Sequence, residues 1–192
     1  EKKIESYLKK KINNYDLIVV TDFGHGMITE KIAKIISSTK KFLSINAQVN
    51  SSNNGIRNLS KYKKANCVFI NSNELIHETG KKIEDINILI KILKKKISSK
   101  NLIVTRGSSG SLMINNNDKI ISAPAFAKRK TDKIGAGDAL MSIFSIFKAI
   151  NTDDRISLFI SSLVSGYTVE EFGNDKPMKS EQIKKILSHM LL

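Results

Sequence analysis

Residues 128–142 read KRKTDKIGAGDALMS, and this stretch decides the architecture. Basic residues lead to Asp132, then to the glycine turn Gly135-Ala136-Gly137, then to Asp138 and an apolar run from Ala139. Ala139, Leu140, Ile143, Phe144 and Phe147 recur at helical spacing, which predicts a helix starting at Gly137. A helix that begins in such a turn aims unpaired backbone N–H groups and the positive end of its dipole at one spot. That spot binds anions, and the glycines let an anion come close to the backbone. A carboxylate beside it, Asp138, is placed to take a proton from an attacking hydroxyl. Anion hole and base together suit phosphoryl transfer to an alcohol. A plainer reading is also open: a glycine turn before a buried helix, with Asp138 as an ordinary N-terminal capping residue.

Working outward, the rest of the chain alternates strands and helices. Ile4, Leu8 and Ile12 give residues 1–14 one apolar stripe, a basic amphipathic helix. Asp16–Val20 reads as a buried strand ending at Thr21-Asp22, followed by the loop Phe23-Gly24-His25-Gly26 and a helix capped by Thr29. Further strands are expected at Phe42–Asn46, Cys67–Asn71 and Leu102–Thr105. A short helix should end near Gly80, and a longer one should cover Glu84–Ile97. Ser111–Ile114 and Ile120–Ser122 should form a hairpin over Asn115–Asp118. Helices are expected to Ala149, over Arg155–Val169, and from Lys179 to the end. This order implies an α/β fold, a mainly parallel sheet with helices on both faces, in one domain spanning residues 1–192. Ligands of such sheets gather at the carboxyl ends of the strands.

Composition narrows the functional classes. A net charge of +14 raises the question of nucleic acid, but the lysines are scattered along the chain, aromatics are few and there is no Trp. Solvated lysine faces therefore explain the charge better than a nucleic-acid surface. No apolar run approaches a membrane span, no signal peptide is visible, and the one cysteine, Cys67, reads as a buried thiol. A cytoplasmic location is expected. His25, His77 and His189 are too widely spaced for a metal-ligand pattern, and there is no Walker A motif.

Four motifs in order resemble the ribokinase-like (PfkB) carbohydrate kinases. Asp132 and Gly135-Ala136-Gly137-Asp138 match the family's D-T-x-G-A-G-D signature, with Lys133 standing where a small or hydroxyl residue is usual. Asp22-Phe23-Gly24-His25-Gly26 resembles its strand–Asp–aromatic–Gly–x–Gly loop, His25 replacing the lysine of the branch that phosphorylates sugar phosphates. For His25 a turn role and a ligand contact stand level. Asn71 and Glu74 fit an N-x-x-E motif, and Thr105-Arg106-Gly107-Ser108-Ser109-Gly110 fits a T-x-G-x-x-G nucleotide turn.

The resemblance implies an ATP- and Mg²⁺-dependent kinase for a sugar or sugar phosphate. In it Asp138 is the catalytic base and also contacts substrate, and Gly135, Ala136 and Gly137 form the anion hole. Asn71, Thr105, Gly107, Gly110 and Asn174 meet nucleotide, and Glu74 holds Mg²⁺ through water. Asp132 and Ile134 sit where relatives bind a monovalent cation such as K⁺. For Glu74 the structural alternative is that Asn73-Glu74 caps the next helix. Only the carboxyl-terminal, nucleotide-binding portion of the family domain is matched. The chain opens on Glu1 and contains no Gly-Gly dipeptide, so the family's sugar-selecting segment and lid are expected to lie outside it. Residues 1–192 alone should then self-associate and lack sugar kinase activity. The loop NAQVNSSNNG is closest to members near the heptose-phosphate kinases, some of which carry a nucleotidyltransferase domain. A homodimer is expected of the full-length protein. The alternative function is a non-catalytic nucleotide-binding or structural module on the same fold.

Overall fold

The structure is a computed structural model that describes residues 1–48, 58–81, 85–127, 129, 131–132, 134–170 and 178–190. Six strands form one sheet in chain order: β1 Leu17–Asp22, β2 Phe42–Ala47, β3 Ala65–Asn71, β4 Ser99–Thr105, β5 Ser111–Ile114 and β6 Ile120–Ala123. β1 to β4 run parallel, and β5 and β6 form the expected antiparallel hairpin on the β4 side. Asn115 organises that hairpin turn, its Oδ1 accepting from the Asn117 and Lys119 N–H groups. β3 and β4 begin earlier than the apolar runs suggested. Ala65 pairs with Ser99, and Cys67 with Asn101, so polar residues join the ladder through their backbones.

Strand alternation divides the core into two layers. On β3, Val68 and Ile70 face one layer while Cys67 and Phe69 face the other; on β4, Leu102 and Val104 oppose Ile103. The first layer is covered by α2 Glu30–Ser37, α3 Ser72–Thr79 and α4 Ile86–Lys96, through Ile32, Ile36, Leu75, Ile90 and Leu93. The amphipathic helix α1 Lys2–Lys11 lies beside α2. The second layer is covered by α5 Ala136–Ala149 and α6 Asp154–Glu170, through Leu140, Met141, Phe144 and Leu158. Phe69 and Phe144 meet edge to face with centroids 5.6 Å apart. Two buried hydroxyl pairs also join helix to sheet, Ser145 with Ser44 and Ser111 with Ser162, each at 2.7 Å. A final helix, α7, covers Ser180–Met190.

Most helix ends follow local chemistry. Thr29 caps α2 by accepting from the Ile32 N–H, and Gly80 closes α3 in the left-handed conformation at φ 65°. Four starts differ from expectation by one or two residues, α6 beginning at Asp154 and α7 at Ser180, and at the other two the cause is local. α4 begins at Ile86 because Asp85 caps it, accepting from the Asn87 N–H, and Glu84 lies outside the described residues. α5 begins at Ala136, one residue before Gly137, because Gly135 takes the cap position at φ 80°.

Candidate active site

The carboxyl ends of β1, β3 and β4 bring Asp22, Asn71 and Thr105 to one edge of the sheet, with Asn71 and Thr105 directly paired. Ala123, the last residue of β6, pairs with Ser111 and so lies at this edge too. α6 starts at the opposite edge, where the Asn115 amide donates to Asp154, and reaches the carboxyl edge at Val169. There the Val169 carbonyl accepts from the Thr131 and Asp132 N–H groups. The Ser165 hydroxyl donates to the Ala136 carbonyl at 2.8 Å, setting the start of α5 beside the end of α6.

The N-terminus of α5 has no side-chain cap. Its first-turn N–H groups therefore have no acceptor from the helix itself or from a capping side chain among the described residues. Gly135 supplies the left-handed turn, and the Asp132 carboxylate supports it by accepting from the Ile134 N–H at 2.9 Å. Gly137 is different: its backbone is ordinary helix, and a Cβ added there would meet nothing within 4 Å. Neither conformation nor packing against the described residues requires glycine at this position. Asp138 is exposed in the same turn, and its carboxylate has no partner among the described residues.

The N-terminus of α3 is occupied by its own side chains. Asn71 Oδ1 accepts from the Glu74 N–H at 2.9 Å, and Glu74 Oε2 accepts from the Asn71 N–H at 2.7 Å. This is a capping box, whose spacing is that of the N-x-x-E motif itself. The expected structural alternative paired Asn73 with Glu74. The cap is Asn71 instead, because the strand runs to Asn71 and leaves its side chain facing the first turn. Glu74 is 5% exposed.

In the turn after β4, the Arg106 N–H donates to the Gly110 carbonyl and the Gly110 N–H donates to the Gly107 carbonyl. Its two glycines have different causes. Gly110 has φ 77°, and a Cβ there would lie 2.1 Å from the Ala123 carbonyl oxygen, so the fold demands glycine. A Cβ at Gly107 would meet nothing within 4 Å, leaving open space above the turn.

The loop after β1 is fastened from below. Asp22 is 3% exposed; its Oδ1 accepts from the Gly24 N–H, and its Oδ2 receives the Tyr62 hydroxyl at 2.7 Å and the Lys61 ammonium at 2.6 Å. Burial, and then the Asp22 carboxylate, hold the Tyr62 phenol far above its ordinary pKa, so it remains a donor. Lys61 belongs to a single 3₁₀ turn, Asn58–Lys61, and it also donates to the Ile28 carbonyl at 2.8 Å. Sequence reasoning missed Lys61 and Tyr62. A lysine among 32 basic residues carries no local signature of a buried ion pair.

Beyond the turn before α5, a cleft of about 430 Å³ opens between α6, α7 and the segment after β6, lined by Phe126, Leu163, Tyr167, Glu170, Ile186 and His189. Gly166 lets that segment approach, since a Cβ there would sit 2.9 Å from the Ala127 nitrogen. Asn174 and Lys133 lie outside the described residues. No group of three or more His, Cys, Asp or Glu residues able to hold a metal occurs among the described residues. None of their helices is long and apolar enough to cross a membrane.

A six-stranded, mostly parallel sheet covered by helices has clear counterparts. Ribokinase of Arabidopsis thaliana, solved with ribose and ATP, is similar over 92% of this chain and 57% of its own, with TM-score 0.76 and 17% identity. Phosphofructokinase-2 of Escherichia coli, solved with potassium, is similar over 98% of this chain and 62% of its own, with TM-score 0.79 and 14% identity. The fold is ribokinase-like. The model of the pfkB family carbohydrate kinases matches residues 1–181, and the chain belongs to that family. Among sequence relatives, the bifunctional protein HldE of Aliarcobacter butzleri is 29% identical over 178 residues, 90% of this chain. The chain spans 36% of that relative's length.

Proposed function

We propose that this chain forms the nucleotide-binding and phosphoryl-transfer portion of an ATP-dependent carbohydrate kinase acting on a sugar or sugar phosphate. The observation that carries the reading is the start of α5. An uncapped helix N-terminus opens at Gly135, Gly137 has no structural reason to be glycine, and the exposed Asp138 stands beside both. In this reading Asp138 accepts the proton of the substrate hydroxyl as its oxygen attacks the γ-phosphorus. The bond from that phosphorus to the β-phosphate oxygen breaks, and ADP leaves. The backbone N–H groups of Gly135, Ala136 and Gly137 stabilise the charge that builds on the transferred group.

Thr105, Gly107 and Asn71 border the nucleotide in this reading, with Asn174 closing over its base; Gly110 shapes the turn. Mg²⁺ would neutralise phosphate charge, and it keeps most of its water when bound. In this reading Glu74 acts through that water rather than directly, since one of its oxygens already serves the capping box. Asp132 and Ile134 share one short turn of oxygen donors, which suits a monovalent cation such as K⁺. The reading extends to a cytoplasmic setting, a homodimer of the full-length protein and fusion to a nucleotidyltransferase domain. A relative named as bifunctional supports the last of these. Residues 1–192 alone are expected to bind Mg·ATP weakly and to leave sugars unphosphorylated.

The test is ATP-dependent phosphorylation of a panel of sugars and heptose phosphates by the purified full-length protein, with residues 1–192 run in parallel. Mg²⁺-dependent transfer by the full-length protein is expected. ATP binding without transfer to any acceptor would favour a non-catalytic nucleotide-binding module.

A further inference from the structure

The buried cluster beneath the β1 loop goes beyond this reading while resting on it. The loop 23–28 leaves the carboxyl end of β1 and carries exposed Phe23, His25 and Met27, separated by Gly24 and Gly26 at φ 72° and 86°. Two glycines in positive-φ conformations give such a loop wide freedom. One ammonium group restrains it at both ends. Lys61 Nζ lies 2.6 Å from Asp22 Oδ2, at the start of the loop, and 2.8 Å from the Ile28 carbonyl, at its end. The Lys61 side chain is 13% exposed, so both contacts are made largely out of water. Tyr62 donates to the same Asp22 oxygen, and the other oxygen holds the Gly24 N–H. The aspartate thus has three partners, and the loop is tied at both ends by one side chain.

A cluster meant only for stability has a simpler solution, since an apolar replacement of a buried ion pair is often neutral or stabilising. Geometry at the edge of the reaction site is another matter, because small displacements of positioning groups cost rate. We propose that Lys61, aided by Tyr62, is a positioning residue that fixes the 23–28 loop for phosphoryl transfer without touching the substrate.

The test uses the full-length protein with Lys61→Arg, Tyr62→Phe and the paired Asp22→Asn/Lys61→Met change, which removes both charges together. Amide hydrogen exchange at 23–28 and in α5 is measured alongside kcat and Mg·ATP affinity. In the paired variant, the loop amides, Gly24 above all, should exchange about tenfold faster, as expected for loss of hydrogen bonds to a charged group. α5 should exchange as in the parent. The value of kcat should fall roughly 10- to 100-fold, with Mg·ATP affinity kept. Lys61→Arg should recover much of the loss, since its fork can still reach two acceptors. Tyr62→Phe should show a smaller change of the same kind. Parent-like kcat and loop exchange in a folded paired variant would overturn the proposal. So would faster exchange spread equally over loop and α5, which is the mark of a fold-supporting role alone. If the paired variant does not fold, Lys61→Arg and Tyr62→Phe decide by the same readouts. If the parent phosphorylates no acceptor, the kinase reading fails separately, while loop exchange still tests the tie.

Discussion

Two helices begin at the same edge of the sheet, and they treat their N-termini in opposite ways. α3 is closed by its own residues: Asn71 and Glu74 exchange hydrogen bonds in a capping box. α5 starts from a left-handed glycine with no side-chain cap, and a Cβ at Gly137 would meet empty space. A helix end costs stability when its N–H groups go unanswered, and capping is worth about 1 kcal/mol. The sequence applies that remedy at α2, α3 and α4, through Thr29, Asn71 and Asp85, and omits it at α5, as it does at the outlying α1. In the proposed reading, the open end of α5 is the one that receives the phosphate.

The strongest way to break the comparison is Asp138→Asn. Its carboxylate has no partner among the described residues, so melting should stay at the parent value. Turnover by the full-length enzyme should fall roughly 10²- to 10⁴-fold, the worth of a positioned base. Near-parent turnover would remove Asp138 from the mechanism.

Glycine substitutions sharpen the contrast in both directions. Gly137→Ala should fold as well as the parent, helix propensity even adding up to about 1 kcal/mol. Its rate should drop by roughly 10²-fold as the methyl enters the anion's path, and Gly137→Val should abolish turnover in a folded protein. Gly110→Ala should behave in the reverse way, losing about 1–3 kcal/mol of stability from a forbidden backbone conformation, because its Cβ would strike the Ala123 carbonyl. Thermal melts and initial rates on the same preparations separate the two. A destabilised Gly137→Ala would show that packing, not a ligand, keeps that glycine.

At α3 the expected changes are smaller. Asn71→Ala should cost about 1 kcal/mol in chemical denaturation. Glu74→Gln should leave stability within about 0.5 kcal/mol, since glutamine also serves a capping box. It removes the charge, however, so the Mg²⁺ concentration for half-maximal rate should rise. An unchanged Mg²⁺ titration would reduce Glu74 to a capping residue.

What could be read from sequence was whatever is settled within a few residues. The Thr29 cap, the Gly80 stop, the hairpin over Asn115–Asp118 and the glycine turn before α5 all follow from neighbouring side chains and backbone angles, and all appear. The mainly parallel pairing followed as well, since strands alternating with helices imply parallel neighbours; the order of strands across the sheet was not read from sequence. The N-x-x-E spacing was visible but ambiguous, because one pattern serves a helix cap and a metal ligand equally. The Asp22–Lys61–Tyr62 cluster was not legible at all. Its partners lie about forty positions apart, and only the packed sheet turns one lysine of many into a buried tie.

That tie bears on how the protein can change over generations. The course of the 23–28 loop is held from beneath, at Asp22 and Ile28, by groups that do not contribute to its outer surface. Under the proposed tie, the exposed Met27 can be exchanged for other side chains without loss of the Lys61 contacts beneath it. Variation at the loop's surface can then accumulate on an inherited frame, whereas a change at Lys61 would disturb both ends of the loop at once.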